Sequence, residues 1–374
     1  MTPLNNPGDP VLYFEHTTPS GHIVAHARLN VESTLNSLSL EMIDSISPML
    51  DSWAKREDIV ALVFDGSGDK AFCAGGDIQA LYHAIKSNQD AGNIVNQYPF
   101  EFFEREYRLD FKIHTFPKPV IAIGHGVVMG GGLGIMSGAD YRVVTERSRI
   151  AMPEVTIGLF PDAGQTWSLR NMPSHYAVFL GMTGSHINAT DSLEVGLATH
   201  SIKSESRDAF LEKLVGNDFS KDADLAITAS LTAFPEADLP TGQIQVIPEQ
   251  LTFKGGIAEV VSAVRNLRGI SDWVDRGIDT MEQGCPTTIG IVLEQLQRAP
   301  SMTLSEVFQM EMIIGTHCAN NTDFAEGVRA LLIEKDNNPK WKYANIDSLP
   351  KSYVEEHFSD PWIGGANPLS DLGG

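Results

Sequence analysis

The stretch VIAIGHGVVMGGGLGIMSGADYRVVT, residues 120–145, decides the fold class of the chain. Its opening VIAIG (120–124) is a short continuous apolar run, as expected of a buried strand. A glycine-rich turn follows, then a helix is predicted from about Gly131 to Ser137, and YRVVT (141–145) reads as the next strand. Working outward, the same kind of unit stands upstream. HIVAHARLNV (22–31) alternates as a strand does. Ser39 is placed to cap a helix carrying Leu40, Ile43, Ile46, Leu50 and Trp53 on one face. VALVF (60–64) is a further strand, ended by the turn DGSGD (65–69). Strands alternating with helices, with glycines clustered where they meet, specify an α/β core of similar units, although no fixed-period repeat is visible.

Beyond this core the pattern changes. Residues 235–248 are rich in Pro, Gly and acids and mark a boundary, after which the period is helical. Thr303 with Glu306, and Asp323 with Glu326, are N-terminal capping patterns, each ahead of an amphipathic run. The expected organisation is an N-terminal tail over 1–12, an α/β core over 13–248 and a helical C-terminal subdomain over 249–374. Lys and Arg total 27 against 48 Asp and Glu, a formal charge of −21 that disfavours nucleic acid and anionic lipid as partners. Three scattered cysteines, Cys73, Cys285 and Cys318, make neither a disulfide framework nor a zinc knuckle and suit a reducing compartment. No apolar run is long enough to span a membrane, and the start MTPLNNPGDP has neither signal nor transit character, so a cytoplasmic protein is expected.

Three segments can carry chemistry. The run MGGGLG (129–134) lacks the Lys-Ser/Thr of a phosphate loop and the glycine offsets of a dinucleotide fingerprint. Two readings remain: a turn that packs a helix closely on a sheet, or bare amides at a helix start, where the dipole favours developing negative charge. CAGGD (73–77) is a second turn with exposed amides, and the two together can offer one N–H each to a single carbonyl oxygen if they converge. In MPEVTIGLFPDAG (152–164), Pro153, Gly158 and Pro161 forbid a continuous helix, so Glu154 and Asp162 belong on loops beside a strand. Each carboxylate is either catalytic or an ordinary surface turn cap. No G-x-S-x-G elbow is present, Cys73 reads as a buried inert thiol, and His125 reads as a packed turn residue. His22 and His26 lie on a strand without an intervening Glu, so no metal site is expected.

KAFCAGGDIQALY (70–82) with HGVVMGGGLGIMSGADYRV (125–143) resembles the enoyl-CoA hydratase/isomerase, or crotonase, superfamily. LNSLSLEM (35–42) and GLATH (196–200) extend the likeness. FFEREY (102–107), AMPEVTIGLFPDAG (151–164) and DFAEGVRALLIEKDNNPKW (323–341) are similar to its 3-hydroxyisobutyryl-CoA hydrolase branch. The resemblance implies a crotonase-like spiral core of repeated strand–strand–helix units. It also implies an acyl-CoA substrate, no separate cofactor (CoA being part of the substrate), and a homo-oligomer, trimer or hexamer, as in many crotonases. Carried over by position, the oxyanion amides fall on Gly76 and Gly131, the active-site carboxylates on Glu154 and Asp162, and a substrate-contacting acid on Glu106. The second catalytic glutamate of the hydratases is replaced by Gly134, which disfavours hydration and leaves attack at the carbonyl. Lys55, Arg56 and Lys70 flank the edge that resembles a CoA-binding edge, although Val31 stands where many crotonases have Arg. The implied reaction is thioester hydrolysis in valine breakdown; a hydratase or isomerase, and a non-catalytic binding protein of the same fold, are the alternatives.

Overall fold

The computed structural model describes residues 2–90, 96–234, 237–362 and 365–373. The chain divides into two units: Met1–Gly76, Lys112–Ile150 and Ile187–Gly242 form the first, and Asp77–Phe111, Ala151–His186 and Gln243–Gly374 the second. The last switch between them, at 242/243, falls inside the Pro/Gly-rich segment 235–248, whose first two residues lie outside the described ones.

Among the described residues the strands are β1 (Val11–Thr17), β2 (Ile23–Leu29), β3 (Ile59–Gly66), β4 (Ala71–Cys73), β5 (Val120–Gly124), β6 (Val127–Met129), β7 (Tyr141–Val144), β8 (Arg149–Ala151), β9 (Ile187–Asn188) and β10 (His200–Ser201), all in the first unit but for the last residue of β8. One sheet has the order β1-β2-β3-β5-β7-β10 and the other β4-β6-β8-β9. The β1–β2 pair is antiparallel, while β2–β3, β3–β5, β5–β7 and β7–β10 are parallel. The apolar run 120–124 is β5, buried along its whole length as a central parallel strand requires. On one face, Val24, Ala61, Val63, Ile121, Ile123 and Val143 pack with Phe210, Leu211 and Leu214 of the helix Arg207–Val215 and with Ile227 and Leu231 of the helix Ala223–Thr232. Each of these side chains larger than alanine contributes roughly 1.5–3 kcal/mol by leaving water. The helix Leu40–Lys55 starts at Ser39, whose Oγ accepts the Met42 N–H at 3.2 Å, and Met42 joins Ile43, Ile46, Leu50 and Trp53 on its buried face.

The stretch expected as an N-terminal tail is tied to this sheet. β1 begins at Val11, and Asn5 donates to the Val11 carbonyl at 2.8 Å while accepting the Tyr13 N–H at 3.1 Å. His22 and His26 each find a local partner: Ser20 Oγ lies 3.0 Å from His22 Nδ1, and buried His26 bridges His16 at 3.2 Å and Asp65 at 2.9 Å.

The second unit is helical, and its last stretch carries Ile257–Arg265, Asp272–Gln283, Pro286–Arg298, Leu304–Asn320, Thr322–Val328 and Lys351–Glu356. Thr303 and Glu306 form the expected capping box of the helix Leu304–Asn320. The pattern at Asp323 and Glu326 behaves differently. Asn321 is the N-cap there, and Asp323 is buried within the helix, accepting from Thr287 Oγ1 at 2.9 Å and the Lys342 N–H at 2.7 Å. Gly158 and Gly327 explain its burial: a Cβ on Gly158 would stand 2.5 Å from the Asp323 carbonyl oxygen, and one on Gly327 2.4 Å from Ile157 C. Among the described residues no helix is long and apolar enough to cross a membrane.

Gly126 is the tightest crossing in the first unit. Its φ is +59°, and a Cβ there would lie 2.1 Å from the Lys70 carbonyl oxygen. Gly196 also has positive φ, at +77°, but open space around it. Gly196→Ala is therefore expected to lose only about 1–2 kcal/mol to left-handed strain, whereas Gly126→Ala should lose at least about 2 kcal/mol more by breaking the crossing. Paired urea melts measure the difference, and equal losses would refute the steric account.

Candidate active site

The two glycine turns meet in the first unit because of strand pairing. β4 and β6 run parallel, with Ala71 opposite Val127 and Cys73 opposite Val128, so the chain leaves both strands at the same end. One exit is the turn 74–77 and the other the helix Gly130–Ser137. Gly75, at φ +110°, would carry a Cβ only 3.6 Å from the Met129 carbonyl oxygen and 3.9 Å from Gly130 Cα. The Leu38 N–H donates to the Gly75 carbonyl at 2.8 Å, and Leu38 bridges Gly76 in parallel fashion. In such a bridge the neighbours of Gly76 make the bonds, and its own N–H points away from Leu38. Gly131 lies in the first turn of its helix, where amides have no acceptor within the helix, and Met129 at the N-cap offers no side chain to them. Of the cations expected near this edge, Arg56 is already committed, to Glu15 at 2.5 Å and Asp58 at 2.8 Å; Lys55 and Lys70 are exposed.

The carboxylates belong to the second unit. After β8 the chain enters the 3-10 turn Pro153–Thr156, started by a proline that forgoes an N–H the turn does not need. Glu154 sits in this turn, its carbonyl accepting from the Ile157 and Leu159 amides at 3.1 and 3.2 Å. Its side chain is buried, and Oε2 has no hydrogen-bond partner among the described residues. Asp162 follows on an irregular turn that passes through Ala163 at φ +53° and Gly164 at φ +81°. Neither acid is the surface cap that residue type alone favours: Glu154 is 4% and Asp162 5% exposed.

Three residues that sequence reasoning missed complete the cluster. Tyr107, one position after Glu106 on the helix Gln97–His114, donates its hydroxyl to Asp162 Oδ2 at 2.7 Å. Asp110, one helical turn beyond Glu106, is fully buried, and neither carboxyl oxygen has a hydrogen-bond partner among the described residues. Glu311, on the helix Leu304–Asn320, accepts the Gly164 and Thr166 amides at 2.8 and 3.0 Å. A signal for both acids was available, because each falls on a helical stripe of otherwise apolar residues: Phe103, Tyr107 and Ile113 for Asp110, and Val307, Ile314 and Cys318 for Glu311.

Glu106, Asp110, Glu154, Asp162 and Glu311 are all buried, and none of them takes part in the ion pairs among the described residues. No trio of His, Cys, Asp or Glu among the described residues is arranged to hold a metal ion. Burial is the main reason that every one of these carboxyls binds its proton more tightly than usual. Asp162 is raised to about 6, less than the others because Tyr107 stabilises its ionised form. Glu311 reaches about 8, again by burial, with its two backbone donors opposing. Glu154, Glu106 and Asp110 lie well above the carboxylate range through burial and then the charge of nearby acids. The cluster is therefore a set of proton-carrying acids, and Asp162 is the readiest to ionise.

Asp110 gives the stability consequence. Its folded pKa exceeds that of the unfolded chain, so the folded state holds the proton longer and stability falls as pH rises through the interval between the two values. Asp110→Asn, which carries no ionisable proton, should flatten the fall in melting temperature as pH rises above the ordinary carboxylate range. A slope as steep as that of the parent protein would show that Asp110 is not held protonated.

The family described as enoyl-CoA hydratase/isomerase matches residues 24–358. The 3-hydroxyisobutyryl-CoA hydrolase, mitochondrial, of Danio rerio is 36% identical over 338 residues, covering 88% of this chain and 86% of that protein. The human protein of the same name is 33% identical over 336 residues, covering 88% and 84%. Among solved structures, an enoyl-CoA hydratase from Rhodobacter sphaeroides 2.4.1 superposes with a TM-score of 0.80 at 28% identity, covering 94% of this chain and 98% of the other. A carnitinyl-CoA dehydratase from Mycobacterium thermoresistibile gives 0.81 at 27%, covering 95% and 98%.

Proposed function

The chain belongs to the enoyl-CoA hydratase/isomerase family, and from that premise we propose that it is an acyl-CoA thioester hydrolase acting on 3-hydroxyisobutyryl-CoA, the substrate in the name of its relatives. The reaction is 3-hydroxyisobutyryl-CoA plus water to 3-hydroxyisobutyrate plus CoA, a step of valine breakdown. The observation that carries the reading is Glu154: a buried carboxyl with one oxygen uncommitted, on a turn locked by its own backbone. Gly134 adds to it. The position after the glycine run bears no side chain here, so no second acid stands there to protonate an alkene carbon.

In this mechanism the thioester oxygen accepts hydrogen bonds from the Gly76 and Gly131 amides, which stabilise the negative charge that develops on it. The ionised carboxylate of Glu154 attacks the carbonyl carbon, the C–S bond breaks, and the CoA thiolate leaves and takes up a proton. Water then cleaves the resulting mixed anhydride, returning Glu154 and releasing the hydroxyacid. Asp162 accepts the hydrogen bond of the substrate's 3-hydroxyl, and Glu106 lines the acyl site. Because burial raises Glu154, activity should climb with pH above the range in which ordinary carboxylates ionise. A reducing compartment suits the three buried free thiols; the cytoplasm is the site proposed from composition, while the named relatives are mitochondrial.

Glu154→Gln should lower kcat for thiol release at least about 10³-fold while CoA-ester affinity stays within a few-fold of the parent. Wild-type protein should free thiol from 3-hydroxyisobutyryl-CoA and leave crotonyl-CoA absorbance unchanged. Consumption of crotonyl-CoA without thiol release would instead establish a hydratase, and near-normal turnover by the glutamine variant would overturn the role of Glu154.

A further inference from the structure

Glu311 is an expensive residue for its position. It is fully buried on the helix Leu304–Asn320, on the stripe that carries Val307, Ile314 and Cys318, where a leucine or methionine would fill the space without desolvating a carboxyl. What the acid adds is directional. Its two oxygens each take one backbone amide of a single turn, Gly164 at 2.8 Å and Thr166 at 3.0 Å. That turn carries Asp162 and leads into the helix Gln165–Asn171, whose N-cap, Gly164, has no side chain with which to cap it. Two consecutive residues, Ala163 and Gly164, are left-handed, a backbone path that persists only when its surroundings over-determine it. The turn is also held by Gln295, whose Nε2 donates to the Pro161 carbonyl at 2.9 Å and to Thr166 Oγ1 at 2.6 Å, and by the Gln165 N–H on the Asp162 carbonyl at 2.9 Å. Tyr107 holds the Asp162 side chain itself.

We infer that Glu311 is a positioning residue for Asp162, and that by clamping the 162–166 turn it sets the preference of the enzyme for acyl groups bearing a 3-hydroxyl. The inference rests on the thioesterase reading above and deepens it. A carboxyl that must meet one hydroxyl of a short chain has to be held within a fraction of an ångström, and a displacement of about 1 Å can cost about 100-fold. Glu311 supplies that constraint from a helix about 150 residues along the chain, acting through the backbone of the turn.

The test compares kcat/KM for 3-hydroxyisobutyryl-CoA and for isobutyryl-CoA, which lacks the hydroxyl, in the full-length protein. A loss of general stability would lower both values alike; a displaced Asp162 lowers only the first. Glu311→Gln keeps the size of the side chain but puts an NH2 against one of the two amide donors. It should reduce the ratio of the two values about tenfold or more, with its circular dichroism spectrum unchanged. Glu311→Asp keeps the carboxyl with a shorter reach and should fall between the parent and the glutamine variant; if the glutamine variant does not fold, the same loss, smaller, must appear in the aspartate variant. A discriminating wild type whose folded variants discriminate equally well would overturn the role of Glu311 alone. A wild type that cleaves both esters equally would also remove the role of Asp162, and one that frees no thiol would remove the thioesterase reading together with this inference.

Discussion

Strand β6 can lie beside β4 because residue 126 has no side chain. The backbone at Gly126 passes so close to Lys70 that a methyl group would overlap its carbonyl oxygen. The crossing is fastened on both sides, by the Val127 N–H on the Lys70 carbonyl at 3.0 Å and by the Phe72 N–H on the His125 carbonyl at 2.7 Å. Once the pair is formed in parallel, both chains must leave it at one end, and the two glycine turns become neighbours. The glycines that follow divide the work. Gly132 is a packing glycine, since a Cβ on it would meet the Cys73 carbonyl oxygen at 2.4 Å, whereas Gly131 lies in the first helical turn with its amide outside the helix ladder. Close packing and bare amides are thus two aspects of one turn.

Buried acids have opposite fates in the two units. Burial pushes Asp65 upward, but the His26 ring at 2.9 Å and the fork of Arg28, at 2.8 and 2.5 Å, together outweigh it and hold this acid below the usual carboxylate range. It is a permanent anion that joins β2 to β3. Glu106, Asp110, Glu154, Asp162 and Glu311 have no such cation among the described residues, and each keeps its proton further up the pH scale. Acids arranged in this way weaken the folded state at high pH, a cost that a purely structural core would avoid by using apolar residues. Such perturbed carboxyls concentrate where chemistry is done.

Much of the local structure was legible from residue pattern. Ser39 caps its helix, the apolar runs at 60–64 and 120–124 are strands, and Thr303 with Glu306 closes a capping box. The prolines and glycines of 152–164 keep Glu154 and Asp162 on turns. β1 escaped notice because its first residues follow a Pro/Gly-rich start, and only its pairing with β2 makes it a strand. Asp323 fits a capping pattern locally, but its actual partners, Thr287 and Lys342, are distant in sequence. Asp110 and Glu311 each interrupt an apolar stripe, a weak signal because a lone acid on a helix is ordinarily solvated.

The sequence by itself determined what depends on neighbours within about a dozen residues: helix and strand periods, caps, glycine turns, and which acids stand on loops. Through motif resemblance it also pointed to the reaction class. Tertiary structure alone decided which of those acids are kept from water and from cations. Tyr107 reaches Asp162 across 55 positions and Glu311 reaches Gly164 across 147, and no local pattern encodes either contact. The reason is physical: backbone conformation is governed by short-range sterics and periodicity, whereas the proton affinity of a carboxyl is set by whatever surrounds it in space.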